Sequence, residues 1–146
     1  MVDQSRAHPE LVNTLKSSKC LNCGHINVDG LYHKIDEVRL LLDEAKIHIL
    51  AVSETHLNKE VSDNEIEIEN YSFIRKDRDQ KTGKKWGGVL IYFESRINIH
   101  KINYDFELGT TEAILIEADL RSQKLLLACI YRPPNDKLFF GETYFY

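Results

Sequence analysis

Hydrophobic positions change period along this chain, and each change marks an element. The run Ile47 to Leu57 (Ile-His-Ile-Leu-Ala-Val-Ser-Glu-Thr-His-Leu) holds a block of β-branched and apolar residues that stops at Ser53-Glu54-Thr55-His56. A short apolar block without alternation predicts a strand covered on both faces, over residues 47–53. Before it, Leu31, Ile35, Val38, Leu41, Leu42 and Ala45 recur at helical spacing, with Lys34, Asp36, Glu37, Arg39, Asp43 and Glu44 on the other face. That spacing predicts an amphipathic helix over residues 31–45. Cys20 to Val28 predicts a first strand, broken by Asp29-Gly30, with Asp29 placed to cap the helix. Strand, helix, strand predicts a right-handed crossover between parallel strands that finish at the same sheet edge.

Further along, Tyr71 to Lys76 predicts a short strand, and the polar loop Asp77 to Lys85 leads through Trp86-Gly87-Gly88 into another, Val89 to Phe93. Ile97, Ile99 and Ile102 mark a weaker strand. Glu112–Leu120 and Lys124–Tyr131 predict a hairpin turning at Arg121-Ser122-Gln123. Arg132-Pro133-Pro134-Asn135 ends it, since proline cannot continue a ladder. Residues 1–18 show no clear period and read as a loose lead-in. The end, Leu138-Phe139-Phe140 through Tyr144-Phe145-Tyr146, is aromatic. No internal repeat or low-complexity segment interrupts the pattern.

Composition narrows the class without naming a function. A chain of 146 residues, 42% hydrophobic and 29% charged, has room for one globular domain with a real core. No apolar run reaches the roughly 18 residues that a membrane helix needs. The polar N-terminus lacks an apolar signal segment, and three cysteines suit a reducing, intracellular compartment. The net charge of −4 gives no bulk attraction to nucleic acid. Charge is segregated, however: Glu60, Asp63, Glu65, Glu67 and Glu69 precede Arg75, Lys76, Arg78, Lys81, Lys84 and Lys85. Beside Gly87-Gly88, the basic residues suit phosphate contacts; a solvated loop is the plain alternative.

Candidate chemistry gathers at the predicted sheet edge. Glu54 follows the second strand and Asn27 lies near the end of the first, so a crossover brings them together. An asparagine and a carboxylate offer the oxygen ligands that magnesium prefers. A solvated glutamate opening a loop is the competing reading, and His56 reads as a loop residue rather than an acid or base. Cys20-Leu-Asn-Cys23 has no second pair or spaced histidines, so ordinary strand cysteines are favoured over a zinc site.

Taken in order, these stretches carry a resemblance. Asn27 after a strand, Lys34-Ile-Asp-Glu-Val38, Ile49-Leu-Ala-Val-Ser-Glu-Thr-His-Leu57 and Ile74-Arg-Lys-Asp-Arg78 come first. Gly87-Gly-Val-Leu-Ile-Tyr92, Glu112 and Ile130-Tyr-Arg-Pro-Pro-Asn135 follow. The set resembles the endonuclease/exonuclease/phosphatase family, and within it the apurinic-type endonuclease domain of LINE-like, non-LTR retrotransposons. The resemblance spans residues 19–135, with residues 136–146 an unplaced tail. It implies an α/β protein, the N-terminal portion of a four-layer α/β/β/α sandwich. It also implies Mg2+ at the site and hydrolysis of a DNA phosphodiester to leave a nick. By resemblance, Asn27 and Glu54 belong to the metal site and Tyr131 contacts the scissile phosphate region. The segment carrying Arg78, Lys81, Lys84 and Lys85 faces DNA.

The departures limit what is expected of this chain. No Gly-Asp-Phe-Asn follows Tyr131 and no Asp-His dipeptide occurs, while Asn103-Tyr-Asp-Phe106 precedes Tyr131 and is no substitute. Trp86 stands where a third glycine is common. The expectation is a fragment that is inactive alone. A phosphatase of the same superfamily and a non-catalytic interaction module are the rival readings. Half a sandwich further implies an uncovered sheet face, with Leu90, Tyr92, Leu115, Leu126 and Ala128 among the residues lacking partners, and self-association as its consequence.

Overall fold

Two sheets share the interior of the computed structural model, which describes residues 9–78, 86–104 and 110–134. In chain order the elements are α1 (Pro9–Ser17), β1 (Cys23–Asn27), a 3-10 turn (Tyr32–Lys34), α2 (Ile35–Ala45) and β2 (Ile49–Ser53). A second 3-10 turn (Asp63–Glu65) precedes β3 (Tyr71–Lys76), β4 (Val89–Glu94), β5 (Asn98–Ile102), β6 (Glu112–Leu120) and β7 (Gln123–Tyr131). The first sheet has the order β1-β2-β4-β3 and the second β5-β6-β7. β1 and β2 are parallel, with Asn27 opposite Ser53, as strand–helix–strand requires. All other pairings are antiparallel.

Strand periodicity explains why β2 and β4 are apolar throughout. Leu50, Val52, Leu90 and Tyr92 face the helices and pack with Val38, Leu42, Leu57 and Ile66. Their neighbours Ile49, Val89, Ile91 and Phe93 point the other way, onto Ile114, Ile116, Ala118 and Cys129 of the second sheet. Both faces of the first sheet are therefore core. Helices, first sheet and second sheet make three of the four expected layers, and the described residues include no helix on the far side of the second sheet.

Three expectations are corrected. Residues 9–17 form a helix rather than part of a loose lead-in, because Val12 is buried and Leu15 packs beside it against α2. Two apolar contacts in nine residues leave too faint a period to read. Asp29 does not cap α2: the 3-10 turn intervenes, and the helix starts with no side-chain cap hydrogen bond. Leu90 and Tyr92 do not lack partners, since both are fully buried under the helices. Leu126 is 66% exposed and Ala128 is exposed, on the outer face of β7, while Leu115 is half-buried.

Buried phenols tie the first sheet to its flanking loops. Tyr92 Oη donates to the Ile66 carbonyl at 2.7 Å, and Tyr71 Oη to the Ile47 carbonyl at 2.6 Å. Burial, then the charge of Glu94, pushes the Tyr71 phenol from 10.0 up to about 12. Burial raises Tyr92 as well. A raised phenol keeps its proton longer in the folded chain than in the unfolded one. Its stabilising contribution is whole below pH 10.0 and lost as pH climbs toward about 12. Melting temperature should accordingly hold up to about pH 10 and fall above it. Tyr71→Phe should cost about 1 kcal/mol at neutral pH and make the alkaline fall shallower, as read by thermal denaturation across pH.

Candidate active site at the ends of the parallel strands

Sheet hydrogen bonding does not stop where β1, β2 and β4 end. Val28 N–H donates to the Ser53 carbonyl at 3.1 Å, Gly30 N–H to Glu54 at 2.8 Å and Leu31 N–H to Thr55 at 2.9 Å. On the other side, Thr55 N–H reaches the Gly88 carbonyl at 3.3 Å and His56 N–H the Gly87 carbonyl at 2.8 Å. Within this extension Asp29, Glu54 and His56 adopt left-handed φ values of 45°, 54° and 53°. Side-chain residues take that conformation at a cost, so the surrounding hydrogen bonds hold it in place.

The outcome is a clamp on Glu54. Asn27 Nδ2 donates to Glu54 Oε1 at 2.9 Å, while Asn27 Oδ1 accepts the Asp29 N–H at 3.2 Å. Tyr131, at the end of β7, stands near enough to the same carboxylate to feel its charge. Its phenol is raised, first by burial and then by the charge of Glu54. Residues 27, 54 and 131, far apart in sequence and drawn from both sheets, thus meet.

Arg78 takes a different place from the one expected. Rather than standing free for phosphate, its guanidinium is buried in a two-pronged ion pair with Glu112. Nε bonds Oε1, Nη2 bonds Oε2 at 2.7 Å, and Nη2 also bonds the Thr110 carbonyl at 3.0 Å. The guanidinium carbon lies 5.7 Å from the centre of the Tyr131 ring. Arg78 therefore props the tyrosine that stands beside Glu54. Lys81, Lys84 and Lys85, expected beside it on the DNA side, lie outside the described residues.

His56 and Asp29 complete the cluster, where the sequence reading made one a loop residue and the other a helix cap. The His56 ring is T-stacked on Trp86 with centroids 4.9 Å apart. Its Nδ1 is 3.8 Å from Asp29 Oδ1 and its Nε2 is 3.9 Å from Glu54 Oε2. One ligand atom from each of Asp29, Glu54 and His56 falls within 4.8 Å of the others. The available signal was the shared two-residue offset: Asn27 and Asp29 leave β1 as Glu54 and His56 leave β2. Glu112 was noticed only as part of a motif, because its burial depends on a partner 34 residues away.

No family model matches this sequence, and no curated protein does. Solved structures match it through their shape. The chain aligns with AP endonuclease LMAP from Leishmania major over 86% of its length and 48% of that chain, with a TM-score of 0.59 and 16% identity. It aligns with the 3′ phosphatase NExo from Neisseria, bound to product DNA hairpin, over 73% of its length and 40% of that chain, with a TM-score of 0.51 and 16% identity. The chain has the endonuclease/exonuclease/phosphatase fold. It spans less than half the length of either structure, and at this identity the likeness is one of fold.

Within that fold, Gly87 and Gly88 secure the site by lacking a side chain. A Cβ on Gly87 would sit 2.6 Å from Arg78 Nε, and one on Gly88 would sit 2.5 Å from Thr55 Oγ1. Both have positive φ, 136° and 89°. Gly87→Ala should destabilise the chain by about 1–3 kcal/mol through strain and a displaced ion pair. Gly24→Ala, whose Cβ would meet Leu50 Cδ1 at 3.3 Å, should cost less. Urea unfolding of the two variants checks the order.

Proposed function

We propose that this chain supplies the metal- and phosphate-binding side of a Mg2+-dependent DNA endonuclease site, of the kind found in non-LTR retrotransposons. The observation that carries the reading is the convergence of Asn27 and Tyr131 on the Glu54 carboxylate. Oxygen donors on Glu54 and the neighbouring Asp29 suit a divalent cation, and their clustering with His56 supports the fit. Such an ion, when bound, supplies Lewis-acid stabilisation of charge on a phosphate. Asn27 orients Glu54 to hold it. Tyr131, propped by Arg78, offers its hydroxyl to a phosphate oxygen. DNA as substrate is supported by two fold neighbours, one an AP endonuclease and one a 3′ phosphatase bound to a DNA product. The retroelement assignment rests on the order of the sequence motifs.

The side that activates water has no counterpart here, because the sequence contains neither Gly-Asp-Phe-Asn nor Asp-His. A polypeptide of these 146 residues should therefore not nick supercoiled plasmid with Mg2+. Relaxation that disappears in Glu54→Ala would overturn that inactivity. Joined in solution by the C-terminal half of an apurinic-type endonuclease, it should nick, and Glu54→Ala should abolish the cut. A stable complex of the two halves that cuts nothing would defeat the endonuclease reading.

The outer face of the second sheet favours self-association as a further property. Leu126 and Ile130 are 66% and 45% exposed, and among the described residues β7 has no neighbour on its outer side. Edge strands of this kind pair readily unless a charge blocks them. The double variant Leu126→Lys, Ile130→Lys should shift the chain toward monomer in light scattering with little change in melting temperature.

A further inference from the structure

We infer that His56 and Glu54, with Asp29 behind the imidazole, form a mixed nitrogen–oxygen site that prefers a first-row transition ion such as Mn2+ to Mg2+. The inference deepens the proposed cation site, sharing Glu54, Asp29 and His56 with it, and its test needs no nuclease activity.

His56 is held as a ligand would be. Its backbone N–H donates to the Gly87 carbonyl at 2.8 Å and its ring is T-stacked on Trp86. The side chain is only 10% exposed. Among the described residues its Nε2 is buried without a hydrogen-bond partner. An unpaired buried polar atom costs about 1–3 kcal/mol, so this ring nitrogen is held where a bond is missing.

What faces that nitrogen identifies the missing partner. Asp29 Oδ1 lies on the Nδ1 side at 3.8 Å and Glu54 Oε2 on the Nε2 side at 3.9 Å, both beyond direct hydrogen-bond reach. With its proton on Nδ1, the ring turns the Nε2 lone pair toward Glu54 Oε2 across 3.9 Å. Asn27 already occupies the other oxygen, Oε1, so Oε2 is left for this side. Two acceptors facing each other repel unless a cation lies between them. An ion with bonds of about 2.0–2.2 Å to nitrogen and oxygen spans such a gap. A carboxylate behind a metal-bound imidazole is the usual way that ligand is oriented. Magnesium takes oxygen almost exclusively, whereas imidazole binds transition ions, so His56 sets the preference.

Trp86, the one tryptophan in the sequence, reports on the site from beside the His56 ring. Mn2+ is the probe, since the exposed thiols of Cys20 and Cys23 would take softer ions. The 146-residue chain is titrated with Mn2+, alone and against Mg2+, following Trp86 quenching and the electron-spin resonance of free Mn2+. The expected result is saturable quenching at one Mn2+ per chain, with Mg2+ competing only at about tenfold higher concentration or more. His56→Gln should weaken Mn2+ binding about tenfold or more and change Mg2+ binding less. Asp29→Asn, at an exposed position, should weaken Mn2+ binding in the same direction and serves if His56→Gln fails to fold. Equal competition by Mg2+, or Mn2+ affinity untouched in a folded His56→Gln or Asp29→Asn chain, overturns the inference. Glu54-dependent nicking with no Mn2+ preference would sink this inference and spare the endonuclease reading. A His56-dependent Mn2+ preference in a complex that never nicks would do the reverse.

Discussion

The backbone ladder that runs past the ends of β1, β2 and β4 is the constraint on which the site depends. Ordinary loops leave a sheet and wander; here residues 28–31, 54–56 and 87–88 go on exchanging N–H and carbonyl bonds. The extension is irregular, with left-handed residues at 29, 54 and 56 and positive-φ glycines at 30, 87 and 88. Glu54 and His56, two residues apart, keep the common face that strand periodicity gives them, and the extension brings Asp29 within reach of both. Backbone bonds supply the rigidity, leaving the side chains free for function.

A second constraint joins the sheets. Arg78 follows β3 in the first sheet and Glu112 begins β6 in the second, and their buried pair spans the two. Taking two charges from water is costly unless the geometry is good and further bonds are made. The two-pronged contact and the Thr110 carbonyl meet that condition. The pair also stands against Tyr131. One interaction thus sets the docking of the sheets and the position of a site residue.

Much of this was legible in the sequence because it was local. The helical period from Ile35 to Ala45, the apolar block at Ile49–Ser53 and the hairpin of β6 and β7 each appear within a short stretch of chain, and each is found with shifts of a few residues at its ends. The meeting of Asn27 and Glu54 followed from parallel strands alone. What escaped notice was long-range. Nothing near Arg78 announces Glu112, and one arginine within a basic segment reads as a phosphate contact or as solvated. Asp29 looked like a cap because caps are commonly aspartate before a helix; only the 3-10 turn moved the helix start beyond its reach. His56 looked idle because its significance lies in a missing hydrogen bond, which sequence cannot express.

The meeting of both sheets on one carboxylate has a consequence for how the protein responds to occupancy. Glu54 is held by Asn27 from the first sheet and stands beside Tyr131 from the second. Residues so distant in the chain come together only when the sheets have docked, so an unfolded or half-assembled chain has no such site to offer. Whatever binds Glu54 therefore draws on the folding equilibrium of the whole, and its affinity is returned as stability by mass action. The site acts as a latch: closing it from outside makes both sheets harder to pull apart.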